Sequence, residues 1–350
     1  MSKYWTDLVH QLDPYVPGEQ PQEQQFIKLN TNENPYPPSP DVAKAIQAYA
    51  HDNLRLYPDP ESIQLRQTLA TYHGIDIEQI FVGNGSDEVL AHSFQAFFKH
   101  RNPILFPDIS YSFYPVYCAL YQIDYVKVAL DDAFCVNRAD YQAPNGGIII
   151  PNPNAPTGIS MSLESIRELL NQNDSVVIID EAYVDFGADS AIELIADYPN
   201  LLVIRTFSKS RGLAGLRLGY ALGQATLIAG LNRVKNSFNS YPIGSLDSTI
   251  AIASLNDEKY FQRCKDRIID TRSWLKNELL GLEFEVLPSS SNFLFVQHAL
   301  RAASELYLEL KSAGILTRHF KSARIDNFLR ISIGTDDECT RLVNALKSLL

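Results

Sequence analysis

Four cysteines are all the chain has, at Cys118, Cys135, Cys264 and Cys339. They lie far apart and form no CxxC pair, which leaves zinc and dithiol redox chemistry without a motif. Scattered thiols suit a reducing cytoplasm. The seven histidines are dispersed without ligand spacing, so no metal site is expected. No run of 18 apolar residues occurs, which removes a membrane-spanning helix from consideration. Residues 1–13 are polar and lack the apolar core of a signal peptide. No G-x-G-x-x-G follows the early apolar runs, which argues against a Rossmann dehydrogenase. Positive charge is also short: 30 Lys and Arg face 41 Asp and Glu, for a net charge of −11. Such a surface repels nucleic acid and anionic membrane. It leaves room for small anionic substrates, because a site can gather arginines locally.

What remains is ordinary globular material. The 350 residues are 45% hydrophobic and 20% charged, enough for a large domain plus a smaller one without staples. Residues 14–40 are rich in Pro, Asn, Gln and Glu and read as an extended arm. Helical spacing follows near 41–50 and 61–73. Then short apolar runs alternate with helical patterns. The runs lie at 80–82, 104–106, 148–150, 176–179, 201–204 and 220–222. The helical patterns lie near 89–98, 112–121, 162–171 and 190–197. This alternation predicts an α/β fold with a mostly parallel sheet covered on both faces. Further on, a long helix is expected near 257–280. Strands near 284–287 and 293–296, a helix near 302–313, a strand at 329–333 and a helix near 336–349 complete a smaller α+β part. The boundary falls near 240–250, giving an arm 1–38, a large domain 39–245 and a small domain 246–350.

Ligands of parallel α/β sheets sit beyond the carboxyl ends of the strands, so the residues just after each run carry most of the interest. Lys209, in Ser208-Lys209-Ser210-Arg211-Gly212, follows the run 201–204. A lone lysine is usually a solvated surface group, but small flexible neighbours suit close approach of a ligand. An amine with a lowered pKa attacks aldehydes. Arg217, eight residues on, can hold a phosphate by paired donors. Asp180 ends the run 176–179 and fits either a helix cap or a ligand contact; Tyr183 follows three residues later. Gly83-Asn84-Gly85-Ser86-Asp87-Glu88 joins a run to a helix, whose free N–H groups attract phosphate. There the side chain of Asp87 must point away from any such anion. Pro151-Asn152-Pro153-Asn154-Ala155-Pro156-Thr157-Gly158 reads as a rigid turn.

Taken together, these four segments resemble the fold-type-I pyridoxal-phosphate aminotransferases, over nearly the whole chain. The likeness extends to histidinol-phosphate aminotransferases through Leu29-Asn30-Thr31-Asn32-Glu33-Asn34-Pro35, Leu56-Tyr57-Pro58-Asp59-Pro60 and Leu329-Arg330-Ile331-Ser332-Ile333-Gly334-Thr335. The resemblance implies a seven-stranded large-domain sheet between helices. It implies a pyridoxal 5'-phosphate cofactor held on Lys209 as a Schiff base, with Lys209 then shuttling protons. Asp180 would pair with the ring nitrogen, Tyr183 would bond the ring's phenolic oxygen, and Tyr111 would stack on the ring. Ser86, Ser208 and Arg217, with the backbone of Gly85 and Asp87, would hold the phosphate. Tyr57 would reach the phosphate in the partner's site, which requires a homodimer. Arg330 and Arg318 would bind the substrate's phosphate, with Asn32 and Tyr15 closing the site from the arm. The expected substrates are histidinol phosphate and glutamate or 2-oxoglutarate, and the expected place is the cytoplasm. One departure stands out. Many relatives have Asn directly before Pro-Thr-Gly, where this chain has Ala155, and Asn154 is the expected replacement. An aromatic amino-acid aminotransferase or a phospho-amino-acid decarboxylase would keep the same lysine, aspartate and tyrosine. A cofactor-binding regulator without turnover is disfavoured, because no basic N-terminal extension is present.

Overall fold

Runs that are apolar at every position can be strands only if both faces of the sheet are covered, and the central sheet is built that way. Its seven strands lie in the order Ile80–Asn84, Leu218–Gly223, Leu201–Thr206, Val177–Asp180, Ile148–Pro151, Ile104–Pro107 and Tyr125–Val128. Leu218–Gly223 is antiparallel to both neighbours, and every other pairing is parallel. Successive side chains point to opposite faces. Ile148, Ile150, Val177, Ile179, Leu201 and Val203 therefore enter one buried cluster, while Ile149, Ile178, Leu202 and Ile204 enter another. The structure is a computed structural model that describes residues 2–16, 18–20 and 26–350. Residues 1, 17 and 21–25 of the expected arm lie outside the described residues.

Several elements differ from expectation for identifiable reasons. Tyr125–Val128 is an edge strand whose first three residues are exposed, so it carries no buried run. The helix Ser245–Asn256 distributes Leu246, Ile250, Ala251, Ile252, Ala253 and Leu255 around its circumference, so it shows no apolar stripe. It packs on Pro40–Ala48 and Ile63–His73 and adds Ile250, Ala251 and Leu255 to the large-sheet core. The boundary expected at 246 therefore cuts through an element that belongs with the large sheet. The helix Ala225–Phe238 was also not expected, and Gly230 and six polar residues interrupt its pattern. The pattern near 190–197 forms only a 3-10 turn, Ala191–Leu194, because Pro199 follows closely.

The smaller sheet is antiparallel, in the order Arg318–His319, Leu329–Ser332, Phe293–His298 and Phe284–Val286. The helices Glu258–Gly281, Ala303–Ser312 and Asp336–Leu349 cover one face. The last helix starts with a reciprocal cap between Thr335 and Glu338. The arm strand Ile27–Lys28 runs parallel to Ile315–Leu316, and Ile27 and Leu29 enter this second core. The residues that follow, Asn30 to Asn34, are thereby laid across the carboxyl edge of the large sheet. Among the described residues no helix is long and apolar enough to cross a membrane.

Candidate active site

Parallel strands bring their carboxyl ends to one edge, and register sets what meets there. Asp180 is in register with Pro151 on one side and Ile204 on the other. Thr206 is in register with Gly219, the start of the antiparallel strand, so Lys209 and Arg217 emerge at the same edge as Asp180. Gly85 adopts φ +79°, and a Cβ there would come within 2.7 Å of an Arg217 guanidinium nitrogen. A Cβ on Gly219 would come within 2.3 Å of the Ser86 amide nitrogen. Only glycine permits this approach, which presses the start of the helix Gly85–Ser93 against the arginine.

The turns line a solvent-open cleft of about 610 Å³ walled by Ser86, Asp87, Tyr111, Asp180, Tyr183, Ser208, Lys209 and Arg217. A second cavity of about 1370 Å³ adjoins it and is walled by Tyr15, Asn32, Arg318 and Arg330 from the arm and the small sheet. Tyr111, Ala155, Tyr183 and Lys209 line both. Lys209 thus stands at the junction, its Nζ donating to the Thr31 carbonyl at 3.2 Å and lying 5.6 Å from the centre of the Tyr183 ring.

Asp180 is the deepest charge in the first cavity. Its Oδ2 accepts from the Tyr114 hydroxyl at 2.9 Å and its Oδ1 from the Ala182 N–H at 3.2 Å. Burial pushes its carboxyl up to about 6, against the pull of those two donors. A cation placed before it would reverse that shift. Tyr183 accepts from Asn32 Nδ2 at 3.0 Å, and Asn32 is fixed in turn by the Ser332 hydroxyl at 2.8 Å. At the opposite end Arg217 pairs with Asp87 at 2.7 Å, and Asp87 also accepts from the Tyr111 hydroxyl at 3.0 Å. Both members of that ion pair are nearly half exposed, so the pair itself contributes little. An anion at the helix start can compete for the arginine.

The second cavity has the opposite character. Arg318 and Arg330 are direct cross-strand partners on adjacent antiparallel strands, an arrangement of like charges that destabilises a sheet. Among the described residues neither has a carboxylate partner. Arg330 donates one hydrogen bond to the Asn30 carbonyl at 3.0 Å, and its Nε has no partner. Burial, with Arg318 beside it, pushes its pKa down, yet a guanidinium stays charged in a protein. An anionic ligand can supply the missing counter-charge.

One expected contact falls elsewhere. Asn154 is buried outside the cavity wall, with its amide donating to the Ile109 carbonyl and to Thr157 Oγ1, each at 3.0 Å. It braces the loop and does not replace the missing Asn; the wall position is Ala155 itself. Asn152 is likewise engaged with the Met161 backbone. Tyr57 does not enter the cavities of its own chain. It is 84% exposed and stacks on Tyr241 at 4.8 Å beside a groove of about 990 Å³. The sequence reading missed Tyr114, Thr31 and Thr206. The spacing of three between Tyr111 and Tyr114 was an available signal, since it puts both rings on one side of a helical turn.

The donor set fits one kind of ligand: a phosphate at the Gly85–Ser86–Arg217 end, a basic ring nitrogen at Asp180, a phenolic oxygen at Tyr183, and a carbonyl carbon within reach of Lys209. The profile of the family described as Aminotransferase class I and II matches residues 24–346. The chain is 56% identical to histidinol-phosphate aminotransferase 1 of Hydrogenovibrio crunogenus, covering 100% of this chain and 99% of that one. It is 50% identical to the histidinol-phosphate aminotransferase of Clostridium botulinum, again over 100% and 99%. The structure of the Sinorhizobium meliloti histidinol-phosphate aminotransferase in complex with pyridoxal-5'-phosphate superposes with a TM-score of 0.88 at 25% identity, covering 100% of this chain and 99% of that one.

Proposed function

The chain belongs to the class I and II aminotransferases, and from that premise we propose that it is a histidinol-phosphate aminotransferase. It exchanges an amino group between L-histidinol phosphate and 2-oxoglutarate, in L-histidine biosynthesis, using pyridoxal 5'-phosphate. The observation that carries the substrate reading is the facing pair Arg318 and Arg330, two guanidiniums above Lys209 that have no carboxylate partner among the described residues. Paired forks suit a dianionic phosphate. The same arginines suit the carboxylates of glutamate, the amino-group donor in the physiological direction.

The bound cofactor supplies the electron sink that makes the substrate Cα–H acidic. Lys209 Nζ would take the proton from that carbon, and must be neutral when it accepts. Asp180 holds the proton on the ring nitrogen. Tyr183, oriented by Asn32, donates to the phenolic oxygen. Ser86, Ser208, Arg217 and the amides of Gly85 and Asp87 bind the cofactor phosphate, and Tyr111 covers the ring. Tyr15 and Asn32 close the substrate side and exclude water. With Ala155 in the wall, Tyr183 is left as the phenolic-oxygen donor in place of a Tyr–Asn pair.

The exposed Tyr57, flanked by exposed Leu54 and Leu56, supports a homodimer in which Tyr57 reaches the partner's cofactor phosphate. Four free cysteines, three of them buried, support a cytoplasmic location. We place the domain division at Asp257, after the helix that packs on the large sheet.

The reading is tested by titrating the holoenzyme with L-histidinol phosphate. The visible absorption of bound cofactor should bleach and return on adding 2-oxoglutarate, and Lys209→Ala should not respond. Bleaching by phenylalanine but not by histidinol phosphate would overturn the substrate. No cofactor absorption after reconstitution would overturn the enzyme.

A further inference from the structure

Behind Asp180 stands a phenol whose one hydrogen bond among the described residues is to that carboxylate. Tyr114 opens the helix Tyr114–Tyr121 and is 0% exposed. Its hydroxyl donates to Asp180 Oδ2 at 2.9 Å. Its ring is wedged edge-on between Phe106 and Tyr111, at 5.8 and 5.5 Å, which leaves the hydroxyl no second position. Two more phenols from the same segment act beside it. Tyr111 donates to the Asp87 carboxylate at 3.0 Å and Tyr117 to the Asp87 carbonyl at 2.8 Å. Three tyrosines spaced by three residues thus tie one segment to both ends of the cofactor cavity, and Tyr114 alone is directed at the ring-nitrogen end.

We propose that Tyr114 is a positioning residue for the cofactor's ring nitrogen: its hydroxyl anchors one oxygen of Asp180 so that the carboxylate meets the ring N–H in a fixed orientation. Groups behind a ligating residue commonly set its orientation and basicity in this way. Burial favours the protonated acid at Asp180, and Tyr114 is the first of the two donors that oppose it. Burial also holds the Tyr114 phenol well above its ordinary range, so it remains a donor. The inference rests on the cofactor reading above and concerns which atom of the cofactor Tyr114 serves.

The test is a cycle of two proteins and two cofactors. Wild type and Tyr114→Phe are stripped and reconstituted with pyridoxal phosphate, or with an analogue that has C–H in place of the ring nitrogen. Loss of a hydrogen bond to a charged group should weaken pyridoxal phosphate on the order of tenfold, and leave the analogue's affinity unchanged. Tyr117→Phe, which removes a buried hydroxyl from the same helix, should weaken both cofactors alike. Equal weakening of both in Tyr114→Phe, or no change in either, would overturn the proposal. If Tyr114→Phe does not fold, 3-fluorotyrosine at 114 keeps the shape and strengthens the donor. It should tighten pyridoxal phosphate alone, and an equal effect on both cofactors, or none on either, contradicts the role. Failure of wild type to bind either cofactor would instead sink the cofactor reading.

Discussion

The two cavities that meet at Lys209 are built on opposite electrostatic plans. Below the lysine every charge already has a partner: Asp180 has Tyr114 and the Ala182 N–H, and Asp87 has Arg217 and Tyr111. Above it Arg318 and Arg330 face each other, and among the described residues neither has a carboxylate partner. The lower cavity is arranged for a resident ligand, which meets side chains already oriented by a preset network. The upper cavity is left in electrostatic debt, and an anion that comes and goes is what relieves it. The difference follows from where the walls originate. The lower walls are turns at the ends of adjacent buried strands, and the upper walls come from the arm and the small sheet.

The comparison is broken most severely at the junction. Lys209→Ala removes the reactive amine at the junction, and kcat should fall by about 10⁴-fold, the upper end for loss of a positioned proton carrier. Steady-state turnover of L-histidinol phosphate checks this, with circular dichroism to confirm an intact fold. A smaller effect is expected at the lower end alone. Arg217→Met should weaken pyridoxal phosphate by about 10- to 100-fold, the loss of one or two charged hydrogen bonds. Reconstitution followed by absorbance reads it, and kcat at saturating cofactor should change far less.

The smallest effect is on stability. The folded-state pKa of Asp180 is about 6, against roughly 3.9 in an unfolded chain. The folded apoprotein therefore holds that proton more tightly than the unfolded chain does. Its stability should fall as pH rises from about 4 to about 6, and the penalty is fully present above that. Asp180→Asn removes the group. The apo variant should be more stable than wild type by roughly 1–3 kcal/mol at pH 8, with the gap closing below about pH 4. Urea melts at both pH values decide it, and a gap independent of pH would contradict the assignment.

The lower cavity was far more legible in the sequence than the upper. Asp180, Lys209 and the Gly85-Ser86 turn each follow a short, fully apolar run, and such runs are strands whose ends share an edge. Arg330 and Arg318 are 12 residues apart and owe their juxtaposition to antiparallel register, which no local pattern encodes. Tyr114 hid among eight largely apolar helix residues, because a buried tyrosine reads as core until its hydroxyl partner is seen. Asn154 misled for the opposite reason: a polar residue in the right loop seemed free to turn inward, but the Ile109 carbonyl and the Thr157 hydroxyl use its amide. The edge strand Tyr125–Val128 and the helix Ser245–Asn256 escaped because exposure in one and apolar residues on every side of the other erase the periodicity that marks an element.

The central claim is that the unpaired arginines read a phosphate. It is tested most directly by following the first half-reaction alone, as cofactor bleaching, with L-histidinol phosphate and with L-histidinol. Wild type should react far more efficiently with the phosphate ester. In Arg330→Met the efficiency with the ester should fall by about 100-fold, as expected for loss of charged hydrogen bonds, while that with histidinol stays the same. A preference for the ester that survives Arg330→Met, or equal efficiency with both amines in wild type, would contradict the account.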